Sequence, residues 1–112
     1  MKKTAKSKSS PIDVLCVYRV IKGKESAFEK LLSRHGPALH QAGLTPEGAP
    51  KIWRSETREG KTVFVEMMQW KDETSSNAAH QMPEVMAVWE PMGQLTEGME
   101  FLHLKPTSLG KS

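Results

Sequence analysis

The chain has 112 residues, enough for one domain, with 38% hydrophobic and 26% charged residues, as in an ordinary water-soluble protein. Its net charge of +3 belongs to the first ten residues, where Lys2, Lys3, Lys6 and Lys8 meet no acid, leaving 12 of the 16 basic residues against all 13 acidic ones from Pro11 onward. That near-neutral remainder lacks the basic face that nucleic-acid binding needs, and no apolar run is long enough to span a membrane.

Residues 1–10 are polar and of low complexity, so they read as a disordered basic tail. They begin like a signal peptide, but no apolar segment follows. Cys16 is the lone cysteine, which rules out an intrachain disulfide. These features suggest a cytoplasmic protein with no nucleic-acid or membrane partner. A domain is expected over residues 11–106 and a flexible end over 107–112. A chain of this size buries only about 65% of the surface its unfolded form exposes, so covering one more face in a dimer would help it.

Asp13 to Val20 is rich in β-branched and aromatic residues and apolar on both faces, which predicts a central strand. Glu25 to His35 predicts a helix, with Phe28, Leu31, Leu32 and His35 on one stripe. Gly36-Pro37 is expected to interrupt it, with a second helical piece capped at Gly43. Leu44 to Pro50 reads as a loop. Lys51–Arg58 and Lys61–Trp70 read as a hairpin joined at Glu59-Gly60. Asp72–Ser76 offers capping chemistry for a short helix to about Gln81. Pro83 starts another helix, with Val85, Val88, Trp89, Met92 and Leu95 on one face and Pro91 expected to kink or end it. Met99 to Lys105 alternates as a last strand. The order βαββαβ predicts an α+β, ferredoxin-like fold: an antiparallel four-stranded sheet with helices on one face.

The stretch VFVEMMQWKDETSSNAAHQMPEVMAVWEPM resembles the antibiotic biosynthesis monooxygenase-like superfamily. The matching features are the strand-end pair Trp70-Lys71, the Ala79-His80 pair, the Met82-Pro83 break and a helix opening with Val85. YRVIKGKESAFEKLL is similar to the family's first strand, turn and helix, and the resemblance covers roughly residues 13 to 104. It implies a homodimeric α/β barrel with a pocket between each sheet and its helices. Activities in the family include cofactor-independent oxygenation of polycyclic aromatic compounds and haem degradation. The haem branch is disfavoured: Glu90 stands where the ligand histidine would be, His80 where a tryptophan would be, and the first strand around Tyr18 offers no matching asparagine. An acidic residue common in the family is replaced by Met68, with Glu66 two residues further back.

His80 is the expected catalytic residue, matching a position that borders the family's pocket. Tyr18, Trp53, Phe64, Trp70 and Trp89 are the expected lining of a pocket for an apolar or aromatic molecule. No Cys/His pair has zinc-ligand spacing, so no metal is expected; that no cofactor is expected is what the resemblance implies, with haem disfavoured. The function implied is a cofactor-independent monooxygenase. The alternative is a non-catalytic dimeric ligand- or partner-binding module of the same fold.

Overall fold

The computed structural model describes residues 10–110. Its elements are β1 (Ile12–Val20), α1 (Glu25–Gln41), β2 (Lys51–Glu56), β3 (Thr62–Trp70), α2 (Ser75–Ala79), α3 (Pro83–Gln94) and β4 (Thr96–His103). One sheet has the order β2-β3-β1-β4, with every neighbouring pair antiparallel. This is the expected α+β ferredoxin-like arrangement, with β1 inside the sheet as its two apolar faces predict. The expected basic tail falls on residues 1–9, outside those described, and on Ser10.

The sheet's two faces differ sharply. On β1, Val14, Cys16, Tyr18 and Val20 are buried, and across the ladder β3 buries Thr62, Phe64, Glu66, Met68 and Trp70. Over this face lie Phe28, Leu32, His35 and Leu39 of α1 and Val85, Trp89 and Met92 of α3. Period-two alternation puts Leu15, Val17, Val63, Val65 and Met67 on the opposite face, where they are only partly buried. Trp53 pairs with Val65 and Leu102 with Leu15, so both belong to that uncovered face.

The break expected at Pro37 and an early helix end at Pro91 need correction. α1 continues through Pro37 to Gln41, and α3 continues through Pro91 to Gln94. A proline inside a helix loses one hydrogen bond and costs about 3 kcal/mol. Beyond Pro37, however, Leu39 and Leu44 are both buried, and each such burial returns roughly 1.5–3 kcal/mol. Met92, fully buried just after Pro91, has the same effect there.

α1 stops where expected. Gly43, at φ +77°, donates to the His40 carbonyl and Leu44 N–H to the Leu39 carbonyl, both at 3.0 Å. These are the two bonds of a Schellman cap, and they place Leu44 beside Leu39. Nothing stands within 4 Å of a Cβ built at Gly43, so replacing it by alanine tests backbone conformation alone. Gly43→Ala is expected to lower unfolding free energy by about 1–2 kcal/mol in a urea titration, the cost of an L residue in left-handed space. β4 starts at Thr96, three residues before the expected Met99, because Ile21 N–H bonds the Leu95 carbonyl and draws the chain alongside β1 at once.

Candidate functional site

α2, α3 and the ends of β3 and β4 enclose a cleft of about 400 Å³. Trp70, Trp89, Phe101, Met86 and Met99 wall it, and His80, Ser76 and Glu90 are its polar lining. The sequence explains why His80 is there. Asp72 accepts hydrogen bonds from the Thr74 N–H at 3.0 Å, the Thr74 hydroxyl at 2.8 Å and the Ser75 hydroxyl at 3.1 Å, which turns the chain into α2. The Thr74 bonds hold the Asp72 carboxyl below its usual range. One and a half turns later His80 closes α2, and Pro83 opens α3.

His80 Nδ1 lies 2.9 Å from the Ser76 carbonyl. A carbonyl only accepts, so Nδ1 carries the hydrogen, and in the neutral ring Nε2 is left with a lone pair. The ring stands edge-on to Trp89, with centroids 5.0 Å apart. Trp89 in turn meets Trp70 at 6.3 Å and Phe101 at 5.6 Å, both near edge-to-face.

Of the five aromatic residues expected around a ligand, Trp70 and Trp89 line this cleft with His80. Tyr18 and Phe64 are buried beneath α1, each against Phe28, at 5.3 and 5.5 Å between centroids. They belong to the core behind the cleft rather than to its wall. Trp53 projects from the sheet's other face, 53% exposed, because its register pairs it with Val65 and not with Phe64.

Behind the cleft lies a polar cluster that sequence reasoning missed. The Tyr18 hydroxyl donates to Glu66 Oε1 at 2.6 Å, and His35 Nδ1 lies 3.1 Å from the same oxygen. All three residues are at most 1% exposed. Burial, then the charge of Glu66, push the Tyr18 phenol far above its usual range. The same two causes push the Cys16 thiol up to about 12, against a smaller opposing hydrogen bond from Tyr18, so Cys16 is an inert thiol in the core. His35 was legible only as part of the helical stripe, since Glu66 is 31 residues away. The available signal was an acid at the centre of an apolar strand, between Phe64 and Met68.

A larger cleft of about 510 Å³ lies between the end of α1, the loop 45–50 and β3. His40 and Glu66 are part of its wall, but no aromatic residue is. Among the described residues no group of three or more His, Cys, Asp or Glu could hold a metal ion, and no helix is long and apolar enough to cross a membrane.

No family model and no curated protein sequence matches the chain. Solved structures do match. SnoaB, a cofactor-independent oxygenase from Streptomyces nogalater, is 14% identical with a TM-score of 0.61, over 88% of this chain and 97% of that one. A candidate antibiotic biosynthesis monooxygenase from Nitrosomonas europaea is 10% identical with a TM-score of 0.66, over 89% and 93%. A NIPSNAP family protein from Agrobacterium tumefaciens is 22% identical with a TM-score of 0.61, over 90% of each chain. The chain therefore has the fold of the antibiotic biosynthesis monooxygenase-like proteins.

Proposed function

We propose that this protein binds an apolar aromatic molecule in the His80 cleft and oxygenates it without a cofactor, as a cytoplasmic homodimer. The observation that carries this reading is His80 against an aromatic wall, its Nδ1 held by the Ser76 carbonyl and its Nε2 without a hydrogen-bond partner among the described residues. An apolar cleft with few polar groups suits a flat aromatic ligand. SnoaB, with the same fold, is a cofactor-independent oxygenase.

Such chemistry needs a substrate that supplies its own electrons. His80 Nε2 takes a proton from an activated CH2 group, leaving a carbanion delocalised over the rings. The carbanion reduces dioxygen and combines with it to form a peroxide. Loss of water then leaves a ketone, so CH2 and O2 become C=O and H2O with no external reductant. The aromatic walls keep bulk water from the carbanion.

The dimer is supported by the uncovered sheet face, where Leu15, Val17, Val65, Met67, Trp53 and Leu102 form a continuous apolar surface across the four strands. Two such faces can pack about 10 Å apart and bury what one copy leaves open.

The test is oxygen uptake with anthrone, a tricyclic ketone with an acidic CH2 group. His80→Ala should lower the rate constant about 10²–10⁴-fold, the usual contribution of a positioned base. Full uptake by His80→Ala would remove His80 from the mechanism. Binding of anthrone with no uptake by the unaltered protein would favour the non-catalytic module.

A further inference from the structure

We infer that the larger cleft, bounded by the end of α1, the loop 45–50 and β3, is a second binding site, and that it takes an aliphatic alcohol whose hydroxyl donates to Glu66 Oε2. It shares no lining residue with the His80 cleft, so the inference stands apart from the reading of that cleft.

The loop is anchored at both ends. Leu44 is buried in the core, and its carbonyl accepts the Lys71 N–H at 2.8 Å. Pro50 rests on Gly36 of α1 so closely that a Cβ at Gly36 would stand 3.2 Å from Pro50 Cγ. Between these anchors Glu47, Gly48 and Ala49 are exposed, so the segment bows outward instead of packing on β3. Pro46 and Pro50 fix φ on either side of the bow, which stiffens the loop and keeps the cleft formed in advance of a ligand. Its volume of about 510 Å³ falls in the range of small-molecule sites.

The floor of the cleft carries a buried acceptor. Glu66 and Met68 rise from β3 on the face covered by α1, and Gly36, Pro37 and Leu39 of that helix line the same cleft. The cleft thus lies on the side of the strand that bears the Glu66 carboxylate. Tyr18 reaches this carboxylate from β1, whereas the cleft extends to Pro50 and Lys51, on the opposite flank of β3. Oε1 accepts from Tyr18 at 2.6 Å and faces His35 Nδ1 at 3.1 Å. Among the described residues Oε2 has only a longer contact, 3.4 Å to the same nitrogen. Each carboxyl oxygen can accept two hydrogen bonds, so Oε2 has capacity for another donor whatever the protonation of His35. Buried acceptors are almost always matched, and a ligand hydroxyl would complete this one.

The remaining lining selects the rest of the ligand. Pro37, Leu39, Pro46, Pro50 and Met68 make an aliphatic wall, with no aromatic ring on which a flat molecule could stack. Such a wall suits an alkyl chain. The ionisable lining residues are of both signs: His40 and Lys51 against Glu47 and Glu66. A carboxylate head would meet Glu66, and an ammonium head would meet Lys51, so an uncharged head is favoured. An ether or ketone oxygen has no hydrogen to give Oε2. An alcohol on an aliphatic chain satisfies all of these conditions.

The experiment compares 1-hexanol with 1-methoxypentane, isomers of which only the first has a hydroxyl, by titration calorimetry on the full chain. The unaltered protein should bind 1-hexanol about tenfold more tightly, the worth of one hydrogen bond to a buried carboxylate. In Glu66→Gln the amide oxygen serves Tyr18 and the amide nitrogen, a donor, takes the place of Oε2, so the two isomers should bind within about twofold of each other. In spectra of protein labelled with 13C at the methionine methyls, 1-hexanol should move Met68 and leave Met86 and Met99, in the His80 cleft, where they are. With 13C at the glutamate carboxyls, 1-hexanol should move Glu66 and 1-methoxypentane should not. That spectrum decides the matter if Glu66→Gln does not fold. Equal affinity of the isomers for the unaltered protein, a preference that survives Glu66→Gln, shifts at Met86 and Met99 instead of Met68, or no binding of either isomer would overturn the inference. Oxygen uptake with anthrone reads the other cleft, so failure here and failure of the proposed function remain distinct.

Discussion

Glu66→Ala is expected to destabilise the domain by about 3–5 kcal/mol, a large share of the roughly 5–15 kcal/mol that holds a domain together. The carboxylate is fully buried and receives the Tyr18 hydroxyl at 2.6 Å and His35 Nδ1 at 3.1 Å. Removing it leaves two buried donors with no acceptor among the described residues and opens a void in the centre of the sheet. Glu66→Gln keeps an acceptor oxygen and the side-chain volume, so about 1–2 kcal/mol is expected. Tyr18→Phe, which removes one donor and leaves the carboxylate its other partner, should cost a similar amount. The double variant Tyr18→Phe with Glu66→Ala should cost less than the two single changes added together, since they break one shared interaction. Urea titrations of the four variants would measure this. A Glu66→Ala protein no weaker than one with alanine at the exposed Glu100 would show that the cluster contributes nothing to the fold.

Val65→Lys is expected to convert the proposed dimer to a monomer. Val65 sits on β3 in the middle of the uncovered face, between Trp53 and Val17 in the cross-strand row. A lysine there places a charge in the centre of a two-sheet interface with no acid directly beside it, since the nearest in the row is Glu100, one strand beyond Val17. An uncompensated buried charge costs about 3–5 kcal/mol, which weakens association by roughly 10²–10⁴-fold. Native mass spectrometry at micromolar concentration should show a dimer for the unaltered chain and a monomer for Val65→Lys. Lysine in place of Glu29, exposed on α1 away from this face, should leave the dimer intact. A monomeric unaltered chain at that concentration would sink the proposed assembly.

The residues by themselves determined the element order, the central place of β1, the Gly43 stop and the turn at Glu59-Gly60. Those features depend on local chemistry: alternation, helical stripes, and glycines able to take positive φ. The resemblance in residues 63–92 also led to the fold and to His80. Tertiary structure decided what local rules could not. Pro37 and Pro91 lie inside helices because the burial of Leu39, Leu44 and Met92 outweighs the hydrogen bonds lost. Trp53 and Trp70 look alike as sequence, but strand register sends Trp53 to the uncovered face and Trp70 to the cleft. His35 looks like one more residue of a helical stripe, and Glu66 like an odd acid in an apolar strand. Only pairing β1 with β3 beneath α1 brings them within 3.1 Å of each other, because the contact spans 31 residues and no short-range pattern encodes it.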